Sequence, residues 1–374
     1  MNAVPTSGAL WARFWTKGRL KLLIMLALAT PLFGLAGAGI ILVMYSVSYF
    51  SIGRDSPRTH GISANESSRL GGLMIALTLI FSLIVTATLT GYEPSSASAT
   101  TQEVLWATVF ICTLIGLAED LSPDLLSPGL RLVLKLLLFA SFLGFFPNAV
   151  PENIGVPGID WLLMFPIVGL ALCTLFCTAF INAFNMADGA NGLASGIFII
   201  FLYVLFMEHG RVVDGLLLGI CALFFIFNIV SGRYFLGDAG SYGMGALIVC
   251  YGLIEVASGH SSAAFMAAIL AYPCIDFAFS VIRRLAEGHS AFKADEGHLH
   301  NRVHAHLLPH FESKVLPNSL TGCSIAGASA GLALLVYGLD VIPIGSDHWW
   351  FVFLIELMLF SFVLFLTRKN PITR

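Results

Sequence analysis

Residues 166–207, PIVGLALCTLFCTAFINAFNMADGANGLASGIFIIFLYVLFM, hold two apolar runs joined by a turn of amides, glycines and an aspartate. Each run is close to the ~20 residues that carry an α-helix across a hydrocarbon core of roughly 30 Å. The turn places Asn182, Asn185, Asp188 and Asn191 within ten positions. That much hydrogen-bonding capacity is costly inside lipid, so the runs predict membrane helices and the turn predicts a polar edge at one membrane face.

The pattern repeats outward along 374 residues, of which 57% are hydrophobic and 11% charged, with 30 Phe. Such a composition excludes a soluble domain. Eleven apolar segments, centred near residues 36, 80, 111, 139, 171, 200, 222, 248, 272, 330 and 358, predict an all-α polytopic membrane protein, one integral membrane domain over 1–374. The first segment is long: residues 22–50 suit one tilted span, or a span with an interfacial turn at Pro31. The third segment is short, and no cleavable signal peptide is expected. A net charge of −3 gives no reason to expect nucleic acid. The 7 Cys lie in apolar segments without a CxxC pair and read as small buried hydrophobes.

Eleven crossings sort the loops onto two sides. Of the 19 Lys and Arg, all but Arg13, Lys17, Arg19, Lys21 and Arg211 fall on one side, which the positive-inside bias makes cytoplasmic. This predicts an N-terminus outside and a C-terminus inside, although the basic N-terminal tail runs against the bias. Every acidic, amide-rich or His-rich loop falls on the cytoplasmic side, near 54–69, 119–130, 182–190, 231–240 and 284–318. The external loops are as wet and carry no such cluster, so solvation alone does not explain the convergence.

Asp120, Asp188 and Asp238, with Asn182 and Asn185, supply the hard oxygen ligands Mg²⁺ prefers. Asn182, Asn185 and Asp188 are spaced by three and share a face of a continuing helix. In FLGDAGS, 235–241, Asp238 opens an apolar segment, where free backbone N–H groups and Ser241 would hold phosphate oxygens while Asp238 holds the metal. Five His, at 298, 300, 304, 306 and 310, suit phosphate recognition or zinc, with His300/His304 and His306/His310 as helix-face pairs.

Together these motifs resemble the polyprenyl-phosphate N-acetylhexosamine-1-phosphate transferase superfamily, glycosyltransferase family 4, which also contains the phospho-MurNAc-pentapeptide translocases. NAFNMADGANGL resembles the family's NxxNxxDGxDGL, FLGDAGS its FxGDxGS, EDLSPD its DDxxD-type loop, SRLGG its PRxGG segment, and SAFKADEGHLHNR its SPFxPDxxHxHH. The resemblance implies that Asp238 and Asp120 hold Mg²⁺, with Mn²⁺ able to replace it, and that Glu119 and Asp188 join them as catalytic carboxylates. It implies that Asn182, Asn185, Asp295, His298, His300 and Arg302 bind the nucleotide sugar, while Arg69 and Arg131 offset phosphate charge. The implied reaction joins a sugar-1-phosphate from a UDP-N-acetylhexosamine to undecaprenyl phosphate, releases UMP and initiates a cell-surface polysaccharide. The implied setting is the bacterial inner membrane, with the bilayer as partner and a homodimer as assembly. Glu119, Asn191, Asn301 and Lys135 depart from the pattern. An HxH rather than an HHH run favours the simple UDP-sugar branch over the UDP-MurNAc-pentapeptide phosphotransferases. A transporter would instead carry its polar groups near the midplane. A zinc hydrolase would need a trio of ligands and an open position.

Overall fold

The computed structural model describes residues 19–48, 54–55, 67–90, 99–122, 125–290 and 297–367. All eleven apolar segments are helical there, in the order α1 (Arg19–Val47), α2 (Gly71–Thr90), α3 (Ala99–Leu121), α4 (Pro128–Phe145), the short α5 (Pro157–Leu163), α6 (Pro166–Ala187), α7 (Leu193–His209), α8 (Val212–Ser231) and α9 (Gly237–Ala257). The pair α10 (Ala263–Ile269) and α11 (Ala271–Ala286) follows, bent by 80°, then α12 (Leu299–Leu307), the pair α13 (Val315–Ala328) and α14 (Ala330–Gly338) bent by 44°, and α15 (Trp349–Leu366). The expected all-α polytopic architecture is therefore what the chain adopts. The third segment is not short: α3 runs 23 residues, because its polar ends, including Glu119 and Asp120, stay helical.

Helix α9 is the axis of the bundle, with 83% of its apolar window buried. Small residues let neighbours reach its backbone: a Cβ added at Gly116 of α3 would strike the Asp238 carbonyl, and one at Gly72 of α2 would strike the Gly240 amide. Such approach has no room for a methyl group. The start of α9 is also pinned from behind. Gly71 and Gly72 donate to the carbonyls of Phe235 and Leu236 at 3.1 and 2.8 Å. Strand β2 (Ser67–Ser68) pairs antiparallel with β1 (Arg54–Asp55) and bridges to Tyr234.

Helix α1 is not the single tilted span that its length suggests. Its length and hydropathy suffice for a crossing, and a straight helix would hold residues 21 and 48 roughly 40 Å apart. Instead, Lys21 Nζ donates to the Ser231 carbonyl at 3.2 Å, and Arg233 Nη1 lies 3.4 Å from Ser48 Oγ and over the Tyr45 ring. Between those ends, Phe33 and Gly37 reach only Gly219 and Leu223, midway along α8. The chain turns back at Gly34, φ 62°, ψ −158°, a conformation open essentially to glycine alone, rather than at Pro31. So α1 is a re-entrant hairpin that enters and leaves at the end of α8 where the Asn- and Asp-rich loops lie. Lys21 of the basic N-terminal segment lies at that end of α8, while Arg13 and Lys17 lie outside the described residues.

Candidate active site

The site is built where α3, α4 and α6 end or begin around the start of α9. Asp120, at the end of α3, accepts the Asp238 N–H at 3.0 Å on one oxygen and the Ala239 N–H at 2.8 Å on the other. Asp188, which caps α6, accepts the Gly237 N–H at 3.1 Å. The first-turn amides of a helix carry the positive end of its dipole and seek anions. Here two side chains fill that role. The N–H groups expected to cradle phosphate are therefore already occupied, and Asp120, with each oxygen on a backbone donor, caps the start of α9. Burial holds the Asp188 carboxyl well above the usual carboxylate range, against the pull of the Gly237 amide.

Asp238 is different. Its side chain is 20% exposed, and Arg131 Nη1 stands 3.8 Å from one oxygen and 3.2 Å from Glu119 Oε1. Arg69 and Lys135 add their fields to the same carboxylate. Asn185 accepts from Ser241 Oγ at 2.6 Å, and Asn182 accepts from the buried Lys135 Nζ at 2.5 Å, which also lies 4.3 Å over the Tyr242 ring. Thus Glu119, Asn182, Asn185, Arg69 and Arg131 gather around Asp238 as expected, with Asn182 tied up by Lys135. Among the described residues, Glu119 Oε2 is buried without a hydrogen-bond partner. An orphaned carboxylate oxygen sharing an arginine with Asp238 fits a divalent cation held by one or two carboxylates and completed by substrate oxygens and water. A wholly protein cage does not fit, since no group of three or more His, Cys, Asp or Glu side chains able to hold a metal occurs among the described residues. That also withholds the ligand trio a zinc site needs.

The His-rich segment docks beside this centre without all of its His being free for ligand. His300 is 3% exposed, meets the Tyr272 hydroxyl at Nδ1 at 2.8 Å, and lays its ring against Gly189, where a Cβ would collide with Nε2. Burial lowers its pKa to about 4, and the ring buttresses the turn at Gly189. Gly189 is thus small for His300, not for a ligand. His298 opens α12, stacked on His300 with centroids 5.5 Å apart. Its Nδ1 meets Asp276 Oδ2 at 2.6 Å, a carboxylate sequence reasoning passed over although a lone Asp in an apolar helix is itself a signal. Arg302 Nε donates to the Gly297 carbonyl at 3.2 Å. Asp295 lies outside the described residues. Asn191, where the resemblance expects Asp, is 2% exposed among amides: its N–H donates to Asn318 at 2.7 Å and its side chain meets Ser319 and Asn228. A charge there would have no counter-ion, and the neutral amide ties the α6–α7 turn to α8 and α13.

Residues 103–256 match the family model of glycosyl transferase family 4. That span includes Glu119, Asp120, Asp188 and Asp238 but neither Arg69 nor the His-rich segment. The decaprenyl-phosphate N-acetylglucosaminephosphotransferase of Mycobacterium tuberculosis is 25% identical over 287 residues, 66% of this chain and 68% of that protein. The probable undecaprenyl-phosphate N-acetylglucosaminyl 1-phosphate transferase of Bacillus subtilis is 24% identical over 265 residues, 68% of this chain and 71% of the relative. The phospho-N-acetylmuramoyl-pentapeptide-transferase of Clostridioides difficile is 26% identical over 221 residues, 54% and 64% of the two chains. These likenesses bear out the resemblance read from the motifs.

Proposed function

We propose that this protein transfers N-acetylhexosamine-1-phosphate from a UDP-sugar to undecaprenyl phosphate on the cytoplasmic side of a bacterial inner membrane, initiating a cell-surface polysaccharide. The observation that carries the reading is the partly exposed edge at Asp238, where its carboxylate and the orphaned Glu119 oxygen meet Arg69 and Arg131 at the ends of the helices. Two anions must be brought together there. An oxygen of the lipid phosphate forms a bond to the β-phosphorus, the bond from that phosphorus to the bridging oxygen breaks, and UMP leaves with that oxygen. The acceptor oxygen is already ionised near neutral pH, so no side chain need remove its proton and no covalent enzyme intermediate is required. Arg69 and Arg131 screen the approach of the two phosphates. Asp238 and Glu119 would hold Mg²⁺, or Mn²⁺ in its place, which supplies the positive charge that offsets charge building on the departing UMP. Asp120 and Asp188 act one step back, fixing the start of α9 so that Asp238 does not swing.

The carboxylates and amides of the site, Glu119, Asp120, Asn182, Asn185, Asp188 and Asp238, lie within about two turns of a helix end, which favours an interfacial transferase over a transporter. The deciding experiment follows UMP from purified protein given undecaprenyl phosphate and a panel of UDP-N-acetylhexosamines, with UDP-MurNAc-pentapeptide included. The reading expects UMP with a UDP-N-acetylhexosamine only. UMP from the pentapeptide donor alone moves the protein to the alternative branch, and no UMP from any donor overturns the reading.

A further inference from the structure

We infer that Asp276 is a positioning residue for the transfer proposed above: it fixes the His298 ring so that Nδ1 faces its own carboxylate and Nε2 is presented to the diphosphate of the nucleotide sugar. The inference rests on that reading of the site. The 80° bend between α10 and α11 brings Asp276 beneath the first residues of α12. Both of its oxygens are in use. Oδ2 lies 2.6 Å from His298 Nδ1, and Oδ1 accepts the Leu299 N–H at 2.9 Å, so one buried carboxylate grips both the ring and the start of its helix. Asp276 is 4% and His298 7% exposed. Stacking on His300, itself held by Tyr272, leaves the ring little freedom to turn.

Among the described residues the groups around the ring are few. On α11 they are Asp276, Ser280 at 3.3 Å, and Arg283, whose guanidinium donates to Ser280. On α12 they are His300, Arg302 and His304. The adjoining α13 and α15 carry Cys323 and Glu356, and among the described residues neither hydrogen-bonds to the ring. A carboxylate on Nδ1 fixes the orientation of the ring and leaves Nε2 as the nitrogen that faces the substrate. The arrangement parallels the carboxylate–imidazole pairs in which the second ring nitrogen does the chemical work.

The test is a double-mutant cycle on kcat and KM for UMP release in wild type, Asp276→Asn, His298→Gln and the double variant, with monodispersity checked for each. We expect Asp276→Asn to lose about tenfold in kcat/KM and to lose nothing further in the His298→Gln background. A loss additive with that of His298→Gln, or no loss at all, overturns the role of Asp276 alone. If Asp276→Asn does not fold, His298→Gln still decides, because a wild-type kcat/KM in that variant overturns the proposal. A wild type that releases no UMP overturns the transfer reading, and this role with it.

Discussion

Helices α1 and α9 are both apolar segments long enough to cross a membrane, and α1 is the more apolar of the two, yet 17% of its window is buried against 83% for α9. Helix α9 crosses, packs on all sides and carries the site at its first turn. Helix α1 turns back halfway and touches the bundle chiefly along α8. Hydropathy records only that a segment tolerates lipid. Whether it crosses is decided by a backbone event such as the one at Gly34, and whether it is central is decided by how closely neighbours approach it.

The largest expected effect lies in the α3–α9 seam. Gly116→Leu would drive four carbons into the backbone at Asp238 and should abolish recovery of monodisperse protein, whereas Gly129→Leu, where a Cβ meets nothing within 4 Å, should behave as wild type. Comparing the two by size-exclusion yield shows whether the close approach is required. A tolerated Gly116→Leu would mean that α9 is not gripped as described.

Next comes the cap. Asp120→Ala leaves two buried amides of α9 without their acceptor, at about 1–3 kcal/mol each. Asp120→Asn keeps one acceptor and should lose about half as much, read as the shift in thermal unfolding in detergent. Equal stability of both variants would return Asp120 to a role in the chemistry alone.

For α1, Gly34→Ala should cost about 1–3 kcal/mol, because the residue holds a backbone conformation closed to side chains. The hairpin is tested independently by accessibility in a Cys-free background. A Cys at Leu20 should label from the same side as one at His289 and from the side opposite one at Val341. Labelling of position 20 together with 341 would make α1 a crossing helix and restore an external N-terminus.

The smallest effect is a pH dependence. His300 and His304 are both held near 4 by burial, below the ordinary 6.5. Between about pH 6.5 and about pH 4 the unfolded chain takes up protons that the folded one refuses, so stability should fall with pH across that window and level off below it. His300→Gln should flatten part of this slope in thermal unfolding monitored against pH.

Much of the site was legible because polar residues are expensive in a membrane: NxxNxxDG and GDAGS stand out against their flanks, and both fall where they were expected. What each residue does was less legible. Asp120, Asp188 and Asp238 look alike as letters, and only the direction of the α9 amides separates two caps from one open carboxylate. His298 and His300 differ by two positions, but a helix turns them towards different neighbours, one to Asp276 and the other to Tyr272. The hairpin escaped notice because glycine is common in membrane helices, and nothing local distinguishes Gly34 from Gly37 or Gly39.

The account turns on Asp238 as the group that couples metal to diphosphate, and Mg²⁺ titration of UMP release in wild type and Asp238→Asn tests it most directly. Asparagine keeps the shape but is a poor ligand for a hard cation. Turnover should therefore fall by about two orders of magnitude or more at saturating Mg²⁺, in protein that remains monodisperse. A variant that keeps both its rate and its Mg²⁺ dependence would contradict the account and place the metal elsewhere.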